Sequence, residues 1–256
     1  MSFKLLPRDL PGSTLKWIAI VTMFLDHVGA TLALQWYFAA PSHLRYEIYG
    51  GLRTIGRIAF PIFCFLLAEG FVHTRSRPKY AARLGIFALV AEIPFDIAFN
   101  RPANGFLEFG SQNVFFTLFL GLLALWLWEE LARRVPPRWG YAVLLPAILP
   151  SYLLADRLGT DYGGFGVLLI AALGAGRGVT GQQANRYGRY LQFALGSLAI
   201  LYYCVSRSNW IEIYAILGLL FCLRYNGQRG SGGKWFFYGF YPAHLLALGL
   251  LTRLLF

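Results

Sequence analysis

The chain has 256 residues, 57% of them hydrophobic and 17% aromatic, with only 14% charged and a mean hydropathy of +0.52. That balance excludes an ordinary soluble domain and places the chain among polytopic membrane proteins. The formal charge of +11 does not point to nucleic acid, because no basic run interleaves with aromatics on a soluble surface, and in a membrane protein Lys and Arg are first of all topology signals.

In chain order, apolar runs against polar punctuation predict spans at 15–38, 55–72, 84–99, 113–129, 140–155, 163–175, 190–206, 210–223 and 235–255. The fold expected is an all-α, polytopic helical bundle of about nine transmembrane helices (eight to ten), because a hydrocarbon core of about 30 Å takes roughly 20 apolar residues per crossing. The whole chain, 1–256, reads as a single transmembrane domain, with 1–14 as a cytoplasmic amino-terminal segment. The first span is too long for a signal peptide and has no small-residue cleavage site behind it, so it is expected to stay. With the amino terminus cytoplasmic, most of the 23 lysines and arginines fall in inside segments, among them Lys4, Lys16, Arg75, Lys79, Arg83, Arg133, Arg189 and Lys234. The positive-inside rule then puts the carboxyl terminus outside. The fifth span carries Pro146 and Pro150 and the sixth is barely long enough to cross, which suggests kinked or re-entrant helices. No internal repeat is visible.

Cys64, Cys204 and Cys222 lie in apolar stretches with no metal-ligand spacing, and neither disulfide nor metal is expected. "GRGVTG", residues 176–181, and "GQRGSGGKW", residues 227–235, mimic nucleotide loops but lack the strand context and the Lys-Ser/Thr end that such loops need.

The ionisable residues inside the apolar runs carry the functional signal. "MFLDHVGA" sets Asp26 beside His27, eleven residues past Lys16 and so ~16 Å along the first helix. "FYPAHLL" sets His244 ten residues past Lys234, ~15 Å along the last. "LVAEIPFD" sets Glu92 nine residues past Arg83, ~13 Å along the third. Polar groups at such depth are costly and either glue helices or work. Four of them at one depth, from three helices, point to a midplane site. Asp26 and His27 are ~100° apart around the helix, so they serve different partners. Arg57 in "GRIAFPIF" is a candidate partner for Asp26 or a snorkelling anchor. Glu69 and His73 sit four apart near the cytoplasmic end of the second helix, before Arg75, Lys79 and Arg83, either as a salt-bridged helix end or as a mouth for a polyanion. Asn113 and Thr117, also four apart, either bond a substrate or hold helices together.

Six blocks in order, "LKWIAIVTMFLDHVG", "LRTIGRIAFPIFCFLLAEGF", "RPKYAARLGIFALVAEIPFD", "NVFFTLFLGLLAL", "DYGGFGVLLI" and "FFYGFYPAHLLALGLL", resemble the TraX family of membrane proteins, from about Leu15 to the end. The family name comes from conjugative pilus systems, in which its founding member N-acetylates the pilin amino terminus. Lys16-x10-His27, with "FLLAEGF" closing the next helix, is also similar to a broad class of integral-membrane acyltransferases that carry Arg-x10-His. In that class acetyl-CoA enters from the cytoplasm and a membrane-embedded His serves transfer to an acceptor reached from the other side. Lysine supplies charge to a phosphate but not the bidentate fork of arginine.

The resemblance implies an integral-membrane N-acetyltransferase with acetyl-CoA as donor and a pilin amino terminus, an amino sugar or a small amine as acceptor. His27 would act as base or take the acetyl group itself, with Asp26 or His244 assisting. Lys16, His73, Arg75, Lys79, Arg83 and Lys234 would meet the donor, and Arg57, Glu69, Glu92, Asn113 and Thr117 the acceptor. Three rivals stay open: O-acetylation of a glycan, a proton-coupled transporter using the same buried Asp, His and Glu, and a non-catalytic partner in pilus assembly.

Overall fold

A computed structural model describes residues 8–100, 107–178, 186–231 and 233–256. These residues are overwhelmingly α-helical, and among them no β-strand forms, only two isolated bridges. The helices are α1 (Gly12–Val28), α2 (Leu34–Ala39), α3 (His43–Gly56), α4 (Ala59–His73), α5 (Arg77–Phe95), α6 (Val114–Ala132), α7 (Leu144–Arg157), α8 (Gly163–Ala175), α9 (Arg186–Arg207), α10 (Ala215–Leu223) and α11 (Lys234–Leu255). Each apolar run predicted from the sequence is helical. Among the described residues, four helical stretches are long and apolar enough to cross a membrane: Gly12–Ala39, His43–His73, Val114–Ala132 and Pro137–Arg157. Gly163–Ala175 and Trp210–Leu223 are apolar but shorter. At 1.5 Å per residue, α8 spans about 20 Å, less than a hydrocarbon core.

The first stretch is α1 and α2 joined through a π-helical turn at Gly29–Ala33. The shifted ladder leaves carbonyls to satisfy, and Thr31 Oγ1 donates to the His27 carbonyl at 2.6 Å. The second stretch begins twelve residues earlier than the run at 55–72, because α3 continues into α4. Its sequence, "HLRYEIYGGLRTIG", is too polar to register as an apolar run, yet Ser42 caps it by accepting from Arg45 N at 3.3 Å. Prolines mark departures from ideal helix: Pro94 precedes a second π-helical turn at Asp96–Asn100, and Pro150 and Pro242 lie inside α7 and α11.

One large core runs through α1, α4, α5, α6, α8 and α10. The α6 and α8 helices approach closely because glycine removes the obstacle on each side. A Cβ on Gly121 would lie 2.3 Å from Ile170 Cδ1, and one on Gly174 2.4 Å from Leu125 Cδ2. Small residues at the crossing let backbones close in where apolar burial alone gives no drive between helices. Before α1 the chain is pinned to the end of α10. Leu10 N donates to the Arg224 carbonyl at 3.1 Å, Asn226 N to the Leu10 carbonyl at 3.0 Å, and Arg224 pairs with Asp9.

Candidate functional site

His27 and His244 meet where α1 packs on α11. His27 Nδ1 and His244 Nε2 are 2.6 Å apart, and the rings lie within 6° of parallel with centroids 4.9 Å apart. So short a nitrogen contact at that ring separation means two nearly coplanar rings joined edge to edge rather than face to face. His244 Nδ1 lies 2.7 Å from the Phe240 carbonyl, one helical turn earlier. A carbonyl only accepts, so His244 carries its proton on Nδ1 and leaves Nε2 as a lone pair. His27 must then donate from Nδ1, and its own Nε2 is the bare nitrogen. The backbone of α11 thereby sets the tautomer of a histidine on α1. Phe99 and Tyr241 stand edge-on to His27, at 5.3 and 5.9 Å between centroids.

A cavity of about 820 Å³ runs past this pair. Lys16, His73, Arg83 and Arg229 line one end, His27 and Tyr241 the middle, and Arg53, Arg57, Asp161 and Glu212 the other. His244 is not among the described lining residues, so the cavity meets His27 and His244 stands behind it. At the first end the Lys16 ammonium sits over the Phe237 ring at 5.1 Å, and the Arg83 guanidinium over Tyr80 at 5.4 Å. The Arg83 Nε is buried with no partner.

Asp26 points away from His27, into a buried ion-pair network. Arg57 Nη2 reaches Asp26 Oδ1 at 2.6 Å, Arg57 Nη1 reaches Glu212 Oε1 at 2.6 Å, and Arg53 pairs with the second Asp26 oxygen. Arg53 and Arg57, four apart on one helical face, converge on one carboxylate. Beside them, Thr117 Oγ1 bonds the Thr160 hydroxyl at 3.0 Å and donates to the Asp161 carbonyl. This fixes the loop between α7 and α8, where Tyr162 stacks on Phe60 at 3.6 Å. Burial pushes the Asp161 carboxyl up to about 6, with the Arg57 guanidinium pulling the other way.

The remaining candidates sit in other arrangements. Glu69 is clasped by Arg177 at 2.5 Å and by Arg189 at 3.1 Å, and Arg189 lies between the Phe65 and Tyr225 rings. His73 Nδ1 donates to the Glu69 carbonyl at 2.8 Å. Glu92 accepts from both the backbone and the side chain of Asn113, which also caps α6, donates to the Ala88 carbonyl at 2.7 Å and leaves Glu92 Oε1 without a partner. Arg75, between α4 and α5, and Lys79, in the first turn of α5, are exposed. The side chain of Lys234, residues 179–181 of "GRGVTG" and Gly232 of the second glycine-rich loop lie outside the described residues. The structure thus brings His27, Asp26, Arg57, Lys16, His73, Glu69 and Arg83 to one cavity, with Glu92, Asn113 and Thr117 in hydrogen-bond networks of their own. Glu212, Asp161 and Tyr241 also line this cavity without a signal in the sequence, and Arg53, Arg177 and Arg189 are ion-paired in the fold, whereas by sequence each is one more topology charge. The i,i+4 spacing of Arg53 and Arg57 was the signal available. The described His, Cys, Asp and Glu side chains form no cluster of three that suits a metal ion.

Comparison with known proteins agrees over nearly the whole length. Residues 11–252 match the model of the TraX protein family. The probable fimbrial assembly protein FimC, serogroup H1, of Dichelobacter nodosus is 34% identical over 94% of this chain and 95% of its own. An uncharacterised protein of Rickettsia prowazekii (strain Madrid E) is 29% identical over 42% of this chain and 33% of its own. No solved structure matches. On the extent of the family match and on the Dichelobacter relative, the chain belongs to the TraX family.

Proposed function

We propose that this membrane protein is an acetyl-CoA-dependent N-acetyltransferase, crossing the bacterial inner membrane about nine times with its amino terminus in the cytoplasm. The observation that carries the reading is the bare Nε2 of His27, held toward a cavity by the chain Phe240 carbonyl, His244, His27. A neutral imidazole with one nitrogen tied and the other free is the form that serves as general base or nucleophile. Lys16, Arg83 and Arg229 give the cytoplasmic mouth the charge that CoA phosphates need, and the extended pantetheine arm then carries the thioester ~15 Å inward to His27. The acceptor amine enters from the Arg57 end. A pilin amino terminus fits both the family and the fimbrial assembly named for the Dichelobacter relative.

The test is purified protein in nanodiscs with acetyl-CoA, wild type against His27→Ala. Binding by both with slow CoA release lost in the variant supports the reading. No acyl-CoA binding by folded wild type sinks it and turns attention to proton-coupled transport through the same residues.

A further inference from the structure

Two groups lining the cavity are left unmatched among the described residues. Asp161 is the first. Around it, Arg53 and Arg57 are matched by Asp26 and Glu212, two cations against two carboxylates bonded to each other. Asp161 is the carboxylate left over, facing the same cavity with its backbone held through Thr117 and through Asp161 N donating to the Gln112 carbonyl at 2.7 Å. An excess negative charge inside a bundle calls for a cation. The second group is Tyr241, 4% exposed, lining the cavity beside His27. Among the described residues none accepts from its hydroxyl, although a buried donor left unmet is costly. Both groups line the one cavity, Tyr241 beside His27 and Asp161 at the end that holds Arg53, Arg57 and Glu212.

Resting on the acetyltransferase reading, we propose that this region is an acceptor site for a primary ammonium, in which Asp161 holds the cation and the Tyr241 hydroxyl donates to the acetyl oxygen. Aromatic faces complete it: Tyr162, stacked on Phe60, and Tyr203, stacked on Phe165 at 4.2 Å, both line this end, and cations favour such faces.

The steps balance. The ammonium gives its first proton to Asp161, whose carboxyl lies near 6 and passes the proton on to solvent. The free amine attacks the thioester carbonyl carbon, forming the N–C bond, while the carbonyl π pair moves to oxygen and is met by the Tyr241 O–H. His27 Nε2 takes the second proton from nitrogen. The oxyanion collapses, the C–S bond breaks, and the departing sulfur takes the proton from His27. The products are an amide, CoA thiol and one released proton. A hydroxyl acceptor brings no positive charge, so the site selects amines over glycan hydroxyls.

Ethylamine and ethanol, small enough to enter freely, are the probes. CoA release from acetyl-CoA is followed against the concentration of each, in wild type, Asp161→Asn, Asp161→Glu and Tyr241→Phe, with acetyl-CoA binding as the check on folding. Ethylamine should accelerate release saturably in wild type and ethanol should not. Asp161→Asn should raise the ethylamine KM at least tenfold, and Asp161→Glu should restore part of the loss. Tyr241→Phe should lower kcat about a hundredfold at unchanged KM. Hydrolysis without acceleration by ethylamine, or equal KM in wild type and Asp161→Asn, overturns the ammonium site and leaves the role of His27 standing. Absence of any acetyl-CoA turnover in wild type removes the enzyme reading itself.

Discussion

The carboxylate of Asp26 fills the space that a side chain on Gly56 would occupy: a Cβ there would lie 2.1 Å from Asp26 Oδ1 and 2.2 Å from its Cβ. Glycine at the end of α3 is what lets the Asp26 of α1 reach Arg53 and Arg57 on one helical face. Gly56→Ala should expel the carboxylate and leave two arginines short of a partner. Breaking a buried pair costs about 3–5 kcal/mol, so the thermal midpoint in detergent should fall sharply. Asp26→Ala should fall by a similar amount, and the double variant by little more than either single change, since both remove the same contact.

His244 acts on the cavity only through His27. His244→Ala removes the acceptor for His27 Nδ1–H and releases its tautomer, so CoA release should drop about ten- to a hundredfold with acetyl-CoA affinity retained. His27→Ala removes the proposed base and should cost about 10²–10⁴-fold. Transient kinetics under saturating donor separate the two, and equal losses in both variants would contradict the order of the relay.

Asp161 sets a pH signature. Its carboxyl is raised to about 6 in the fold by burial, against about 3.9 in an unfolded chain. Between those values the native state binds more protons than the unfolded state, so stability falls as pH rises through that window, by no more than about 1.4 kcal/mol per pH unit. Arg57 and Arg53 from α3 and its end, Asp26 from α1 and Glu212 before α10 all act on it. Asp161→Asn should flatten the slope and give a more stable protein at pH 7. Midpoints measured from pH 4 to 7 read this directly, and an unchanged slope in the variant refutes the assignment.

Glu69 is bonded by arginines from beyond α8 and from α9, and all three residues are buried. Glu69→Gln leaves Arg177 and Arg189 facing each other without their anion and should lower stability by about 3 kcal/mol or more. Changing Glu69 and Arg177 together to Met should recover part of the loss.

The helices were legible where the sequence is apolar, and α3 was missed because its fourteen residues mix Arg53, Glu47 and Tyr46 with glycine and resemble a loop by composition. Depth along a helix was legible too. Counting residues from basic edges put His27 and His244 at one level, and the structure has them 2.6 Å apart. Facing was not legible: nothing in "LVAEIPFD" says that Glu92 turns to Asn113 rather than to the histidines. Asp161 and Glu212 were passed over because both sit at the ends of apolar runs, where a carboxylate reads as ordinary interfacial polarity. What gathers them is the close crossing of four chain segments, a property of packing that no single run contains.

The cavity has a size as well as a chemistry. At about 820 Å³ it has the capacity of a pocket for one medium-sized organic molecule, and the extended pantetheine arm of the proposed donor would take up much of that. At its far end Arg57 is bonded on both sides, to Asp26 from α1 and to Glu212 ahead of α10, so that mouth is narrowed by a charged clasp between elements distant in sequence. Room remains for a chain end of one or two residues or for a compact amine, and none for a folded domain. On the acetyltransferase reading proposed above, a protein acceptor would be modified only while its terminus is loose, before assembly into a larger structure buries it, which would make the order of events in the envelope a property of the width of this passage.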